Sequence, residues 1–291
     1  MEETDMKYAI EVKDLTKKYQ LFTLDNVSFT VPGGTIVGLI GENGAGKSTT
    51  LKAILNLIRR DGGTISLLEG DNIKDETKVK EDIGVVLDEG AFHDTLTADM
   101  VGNILSKVYQ KWDKNLYQEL LKRYDLPRNL FVKEFSTGMK MKLAIAAALA
   151  HHPKLLILDE PTSGLDPVVR DEILDEFFAF IRDEDHAILM SSHITTDLEK
   201  VADYIVYLHK GKVVLTGAKD ELLETYGKLH CTQKELEGVD PTLLHGVRRN
   251  QFGCEALVTD RRAVKAAYPD LAVDPVSLDD IMVFTARGEE R

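Results

Sequence analysis

The chain has 291 residues, 43% of them hydrophobic and 29% charged, which is enough apolar material for one large core or two modest ones and too much for a disordered chain. A formal net charge of −13 opposes non-specific adhesion to nucleic acid or to an anionic membrane surface, both of which carry the same sign. No apolar run reaches the roughly 18 to 20 residues that cross a bilayer, and the start, MEETDMKYAI, is acidic where a secretory signal is basic and then greasy. The expectation is a cytoplasmic protein that meets a membrane only through a protein partner. Cys231 and Cys254 are too few and too far apart in sequence for a disulfide framework or a zinc site, and they read as buried thiols without a role. The arginine pairs at 59–60, 248–249 and 261–262 read as solvated surface.

In chain order, the first strand-like runs are YAIEV and VSFTV, followed by the apolar run TIVGLI. GENGAGKST, Gly41 to Thr49, comes directly after TIVGLI and directly before the helical pattern TLKAILNLI. It has both the spacing of a P-loop and the strand-then-helix context that this motif needs. Gly41, Asn43, Gly44, Ala45 and Gly46 shape a turn whose backbone N–H groups converge on phosphate oxygens. Lys47 reaches the β and γ phosphates, and the hydroxyls of Ser48 and Thr49 lie at the helix start, with Ser48 placed for Mg²⁺. The motif therefore expects a nucleotide with Mg²⁺ at its phosphates.

TISLL and IGVVL continue the strand pattern, but from about 91 to 150 the rhythm breaks and the segment reads as successive helices. The last of them opens at FSTGM, from Phe135, where Ser136 and Gly138 describe a second helix N-terminus suited to an anion. LLILDEP, from Leu155, is a buried strand ending in two adjacent acids. Side chains alternate across a strand, so the two take different tasks: Asp159 as a magnesium carboxylate and Glu160 as general base. At the end of AILMSS stands His193, where the carboxyl ends of parallel strands meet a ligand crevice. YIVYL and KVVLT complete the core, and from about 228 ALVTD, the helical RRAVKAAY and a helix from SLDDIM form a small further unit.

These motifs, in this order, resemble the ATPase subunits of ATP-binding cassette (ABC) transporters. GENGAGKST is similar to their Walker A, LLILDE to Walker B, SGLD from Ser163 to the D-loop, His193 to the switch histidine and FSTGM to the signature; the likeness runs from about Met6 to Tyr226. The resemblance implies a head-to-tail dimer, of identical or different chains, in which the signature of one cassette closes over the ATP held by the P-loop of the other. It explains why one chain carries two phosphate seats. It implies ATP hydrolysis that drives separate transmembrane permease subunits, in the manner of drug, peptide-antibiotic or ion exporters, with the chain peripheral on the inner face of the cell membrane. It also implies that Tyr19 stacks on adenine, with Phe22 as rival, and that His193 touches the γ phosphate and the attacking water.

Two departures stand out. Phe135, Thr137 and Met139 replace members of the usual Leu-Ser-Gly-Gly-Gln signature, and Asp88 or Glu89 stands where the family has a glutamine, so that Asp88 becomes a further metal candidate. A soluble ABC protein of translation or DNA repair is the alternative; the second cassette or long coiled coil of those proteins is missing. The expected fold is α/β: a P-loop NTPase core with a mainly parallel sheet, an N-terminal antiparallel β part, an inserted helical subdomain and a small α+β C-terminal unit. The expected boundaries are 6–227 for the ATPase domain and 228–291 for the C-terminal unit.

Overall fold

The computed structural model describes residues 8–87, 92–250 and 253–287. In chain order it runs β1 (Tyr8–Lys18), β2 (Thr23–Pro32), β3 (Ile36–Ile40), α1 (Lys47–Ile54), β4 (Gly62–Leu67), β5 (Gly70–Asp71), α2 (Glu76–Lys80), β6 (Ile83–Val86), α3 (Ala98–Leu105), α4 (Lys114–Arg123), α5 (Thr137–Leu149), β7 (Leu155–Asp159), α6 (Pro167–Phe180) and β8 (Ala187–Ser192). There follow α7 (Thr195–Val201), β9 (Tyr204–His209), β10 (Lys212–Ala218), α8 (Lys219–Thr225), β11 (Gly227–Cys231), α9 (Gln233–Glu237), β12 (Leu244–Asn250), β13 (Gly253–Val258), α10 (Arg261–Ala267), β14 (Ala272–Asp274) and α11 (Leu278–Arg287).

Three sheets organise these elements. The central one has the order β10-β9-β3-β8-β7-β6, parallel throughout except for the antiparallel edge pair β9/β10. Its inner strands are covered on both faces, so IVGLI, LLILD and AILMSS are buried at every position and read as unbroken apolar runs rather than alternating ones. Because β3, β7 and β8 are parallel neighbours, the segments that follow them emerge at the same end of the sheet. A second, antiparallel sheet, β2-β1-β4-β5, lies against one side. There the strands alternate: in β2, Val27, Phe29 and Val31 point into a core shared with Val37, Leu39 and Leu51, while Asn26 and Ser28 face out.

The segment expected to be helical is helical: α3, α4 and α5 enclose a core around Tyr117, Leu120, Phe135 and Leu143. Capping residues fix where each helix starts. Thr97, Asp113 and Ser136 accept backbone N–H groups at the starts of α3, α4 and α5. α5 is apolar on two sides, with Leu143, Ala146 and Ala147 facing this cluster while Ala144, Ile145 and Ala148 face the central sheet, so one helix ties both units together.

The C-terminal segment forms the third sheet, β12-β13-β11-β14. One face packs on Leu236 of α9 and Val264 of α10, and α11 places Leu278, Ile281 and Phe284 against the main core beside Leu198, Val201 and Tyr207. The Tyr207 hydroxyl donates to the Met282 carbonyl at 3.1 Å, and the Leu278 N–H donates to Glu199 at 2.7 Å. Burial pushes the Tyr207 hydroxyl up to about 12, so it stays a neutral donor. Among the described residues no helix is long and apolar enough to cross a membrane.

Candidate active site

The turn between β3 and α1 is built on glycine. Gly46 caps α1 with φ 113°, and a Cβ there would stand 2.6 Å from Leu24 and 2.9 Å from Phe22, so the backbone can take this path only without a side chain. α1 therefore begins at Lys47 with its first N–H groups uncommitted, facing a cleft of about 640 Å³. The P-loop lines this cleft with Asn43, Gly44, Gly46, Lys47, Ser48 and Thr49; Glu160, Ser163 and His193 arrive from β7 and β8, and Leu21, Phe22 and Glu42 close the remaining wall.

The three expected catalytic side chains meet inside it. The Lys47 ammonium, buried, donates to the Gly41 carbonyl at 2.8 Å and pairs with Glu160 Oε1 at 3.3 Å. The other carboxylate oxygen, Glu160 Oε2, lies 2.6 Å from His193 Nδ1 and accepts the His193 backbone N–H at 3.2 Å. One carboxylate thus spans a fixed cation and an exposed imidazole. Glu160 holds φ at 51°, a left-handed conformation that is costly for a residue with a Cβ. Its N–H is fastened to Ser191, at 3.0 Å from Oγ and 3.2 Å from the carbonyl. Ser191 Oγ also donates to Asp159 Oδ1 at 2.5 Å. A single hydroxyl on β8 therefore sets both acids at the end of β7.

Ser191 is the functional neighbour that motif reading missed. The signal was present in AILMSS, but its meaning depends on the register that places Asp159 opposite Ser191.

Other expected residues lie off the cleft wall. Gly41 and Ala45 are buried beneath the turn, and Asp159 is behind it at 3% exposure. Tyr19 stands outside the lining, 47% exposed and 6.5 Å from the Phe22 ring, while Phe22 is on the wall. Ser136 and Gly138 are also outside it: Ser136 caps the exposed start of α5, and Gly138 lets that turn approach Val169 of α6. Phe135, where leucine was expected, is a buried plug of the helical core, so the exchange is one apolar anchor for another. Asp88 and Glu89 lie outside the described residues.

The Ser48 hydroxyl on the wall and the Asp159 carboxylate behind it are hard oxygens, the type that magnesium takes. Among the described residues no group of three or more His, Cys, Asp or Glu could hold a metal ion, so an ion here would draw its other oxygens from phosphate and water.

Residues 24–163 match the family model described as ABC transporter. The chain is 36% identical to the ABC transporter ATP-binding protein YtrB of Bacillus subtilis over 76% of this chain and 75% of that one. It is 35% identical to the bacitracin transport ATP-binding protein BcrA of Bacillus licheniformis, over 72% and 69% of the respective chains. A third relative, the uncharacterized ABC transporter ATP-binding protein YhcH of B. subtilis, is 32% identical across 98% of this chain and 95% of its own, C-terminal unit included. Among solved structures, a dimeric bacterial ABC transporter cassette matches with TM-score 0.65 and 26% identity over 72% of this chain and 98% of that one. The chain belongs to the ATP-binding proteins of ABC transporters, and it is an ATPase of that family with its α/β cassette fold.

Proposed function

We propose that the chain powers an export transporter as one half of a head-to-tail cassette dimer. The observation that carries this reading is the separation of the two phosphate seats. The P-loop, Glu160 and His193 share one open cleft, whereas the Ser136 start of α5 is exposed elsewhere on the same chain. An N-terminus of a 13-residue helix, capped and solvent-facing, is a donor surface for the phosphate of another chain. Likeness to a bacitracin transport protein and the small C-terminal unit support export, with a separate permease as the membrane partner.

In this reading the P-loop amides and Lys47 hold the phosphates, Ser48 and Asp159 hold magnesium, and Phe22 or Tyr19 covers the base. Magnesium, when bound, offsets charge developing on the phosphates. Lys47 exchanges Glu160 for phosphate, which leaves the carboxylate able to accept a proton from water while His193, 2.6 Å away, fixes its orientation.

Mixing separately inactive Ser136→Arg and Lys47→Ala chains tests the arrangement, because a mixed dimer has one site with every part. Partial recovery, approaching about a quarter of the wild-type rate for random pairing in a symmetric dimer, is the expected result. No recovery in mixed dimers verified by two affinity tags would end the shared-site reading.

A further inference from the structure

Cys231 and Cys254, distant in sequence, face each other directly. β11 and β13 run antiparallel with Leu229 opposite Ala256, His230 opposite Glu255 and Cys231 opposite Cys254. Both are present as thiols. Opposed residues of an antiparallel pair project to the same face with Cα atoms about 4.5 to 5.5 Å apart, within the roughly 4.4 to 6.8 Å that a disulfide bridges. Gly253, next to Cys254, permits the close approach: a Cβ there would stand 2.9 Å from the Cys231 carbonyl oxygen. The Cβ atoms of such a pair are about 4.5 to 5.5 Å apart, and a disulfide draws them to about 3.8 Å, so closure tightens the strands and stores strain. Strain of this kind makes a disulfide easy to reduce, as suits a chain in a reducing compartment, where protein disulfides are transient or sensing.

The two residues differ in burial. Cys231 is partly exposed, whereas Cys254 is 5% exposed and its thiol donates to Gln233 Oε1 at 3.4 Å. The same amide oxygen accepts from Arg249 Nε at 3.1 Å, and Arg249 sits opposite Cys254 on β12. We propose that Cys231 and Cys254 form a reversible dithiol–disulfide couple whose oxidant is a low-molecular-weight disulfide. Cys231, deprotonated, attacks one sulfur of that disulfide, forming a mixed disulfide and expelling one small thiolate. Cys254 then gives up its proton and attacks Cys231 Sγ, expelling the second. The protein loses two electrons and two protons, and the small disulfide becomes two thiols. Closure also withdraws the Cys254 thiol from Gln233, the first residue of α9, so the start of that helix reorganises.

The full chain is incubated with oxidised glutathione, quenched in acid, denatured, alkylated and peptide-mapped. The expected product is an intramolecular Cys231–Cys254 bond that excess reduced glutathione opens again. Cys254→Ser should stop at a glutathione adduct on Cys231, and Cys231→Ser should take up glutathione roughly tenfold more slowly, since burial protects the remaining thiol. Amide exchange should rise at α9 on oxidation of the wild type. Formation of chain-to-chain disulfides instead, absence of the internal bond, or a bond that reduced glutathione cannot open would each overturn the proposal.

Discussion

Glu160 illustrates how much a single position is asked to do. Its carboxylate is shared by Lys47 and His193, and its backbone is held in a left-handed conformation by Ser191. On the proposed general-base role, Glu160→Gln keeps the shape and removes the base, so hydrolysis in a steady-state phosphate-release assay should fall about 10²- to 10⁴-fold while nucleotide titration shows binding retained. Ser191→Ala frees Asp159 and leaves the Glu160 N–H only the residue 191 carbonyl as acceptor, without touching the cleft wall. It should slow turnover by about tenfold or more and raise the magnesium concentration needed for half-maximal rate, with binding of metal-free nucleotide unchanged. His151, fully buried between the Ile83 carbonyl and the Tyr109 ring, is held below its ordinary 6.5 chiefly by burial. The folded chain resists protonating it while the unfolded chain does not, so stability should decline as pH falls below about 6.5 and be unaffected by this group above it. The difference between the urea midpoints of wild type and His151→Gln, followed from about pH 5.5 to 7.5, should be constant above about pH 6.5 and change only at the acid end. Lys47, Glu160 and His193 were legible from sequence because each sits at a motif whose flanking strand is unmistakable. Ser191 and the two cysteines were not, because their importance arises from strand register, which no local pattern encodes.

Among the elements, α5 joins the most. Its start offers Ser136 to solvent, and its length packs on both the helical cluster and the central sheet. Leu143 lies fully buried on the side facing the helical cluster, and Leu143→Ala should cost about 2 to 5 kcal/mol in denaturant unfolding. The parallel strands were readable as continuous apolar runs, and the helical stretch as a loss of that rhythm. The C-terminal strands were harder. β11 and β12, GKLHC and LHGVRRN, interleave glycine, histidine and arginine with a few apolar residues, since one face meets α11 through charged groups such as the Lys228–Asp280 pair, 3.0 Å apart. Alternation is blurred when the second face is packed yet polar. Of the two helices expected there, α11 buries Leu278, Ile281 and Phe284 at helical spacing, while the shorter α10 buries only Val264.

At the scale of the whole molecule, the C-terminal unit packs on the cassette rather than standing apart, since Leu278, Ile281 and Phe284 complete a core that includes Leu198, Val201 and Tyr207. Gly227 already belongs to β11, opposite Val258, so a shortened chain is best ended at Tyr226. Such a chain keeps every residue of the nucleotide cleft but uncovers that apolar surface. It should bind ATP, unfold at a lower temperature than the full chain, and regain part of the difference when nucleotide is added. Loss of ATP binding in a shortened chain that remains folded would place the tail in the active site. The attachment of α11 also has a mechanical side. α7 begins two residues after His193, and near its far end Glu199 is anchored to the Leu278 N–H. A seven-residue helix is about 10 Å long, and a tilt of roughly 5° about one end displaces the other by about 1 Å. Such a displacement exceeds the slack in a 2.6 Å contact between His193 and Glu160. Force applied to the tail therefore has a stiff arm along which to reach the Glu160 carboxylate, and the load need not travel through the nucleotide at all.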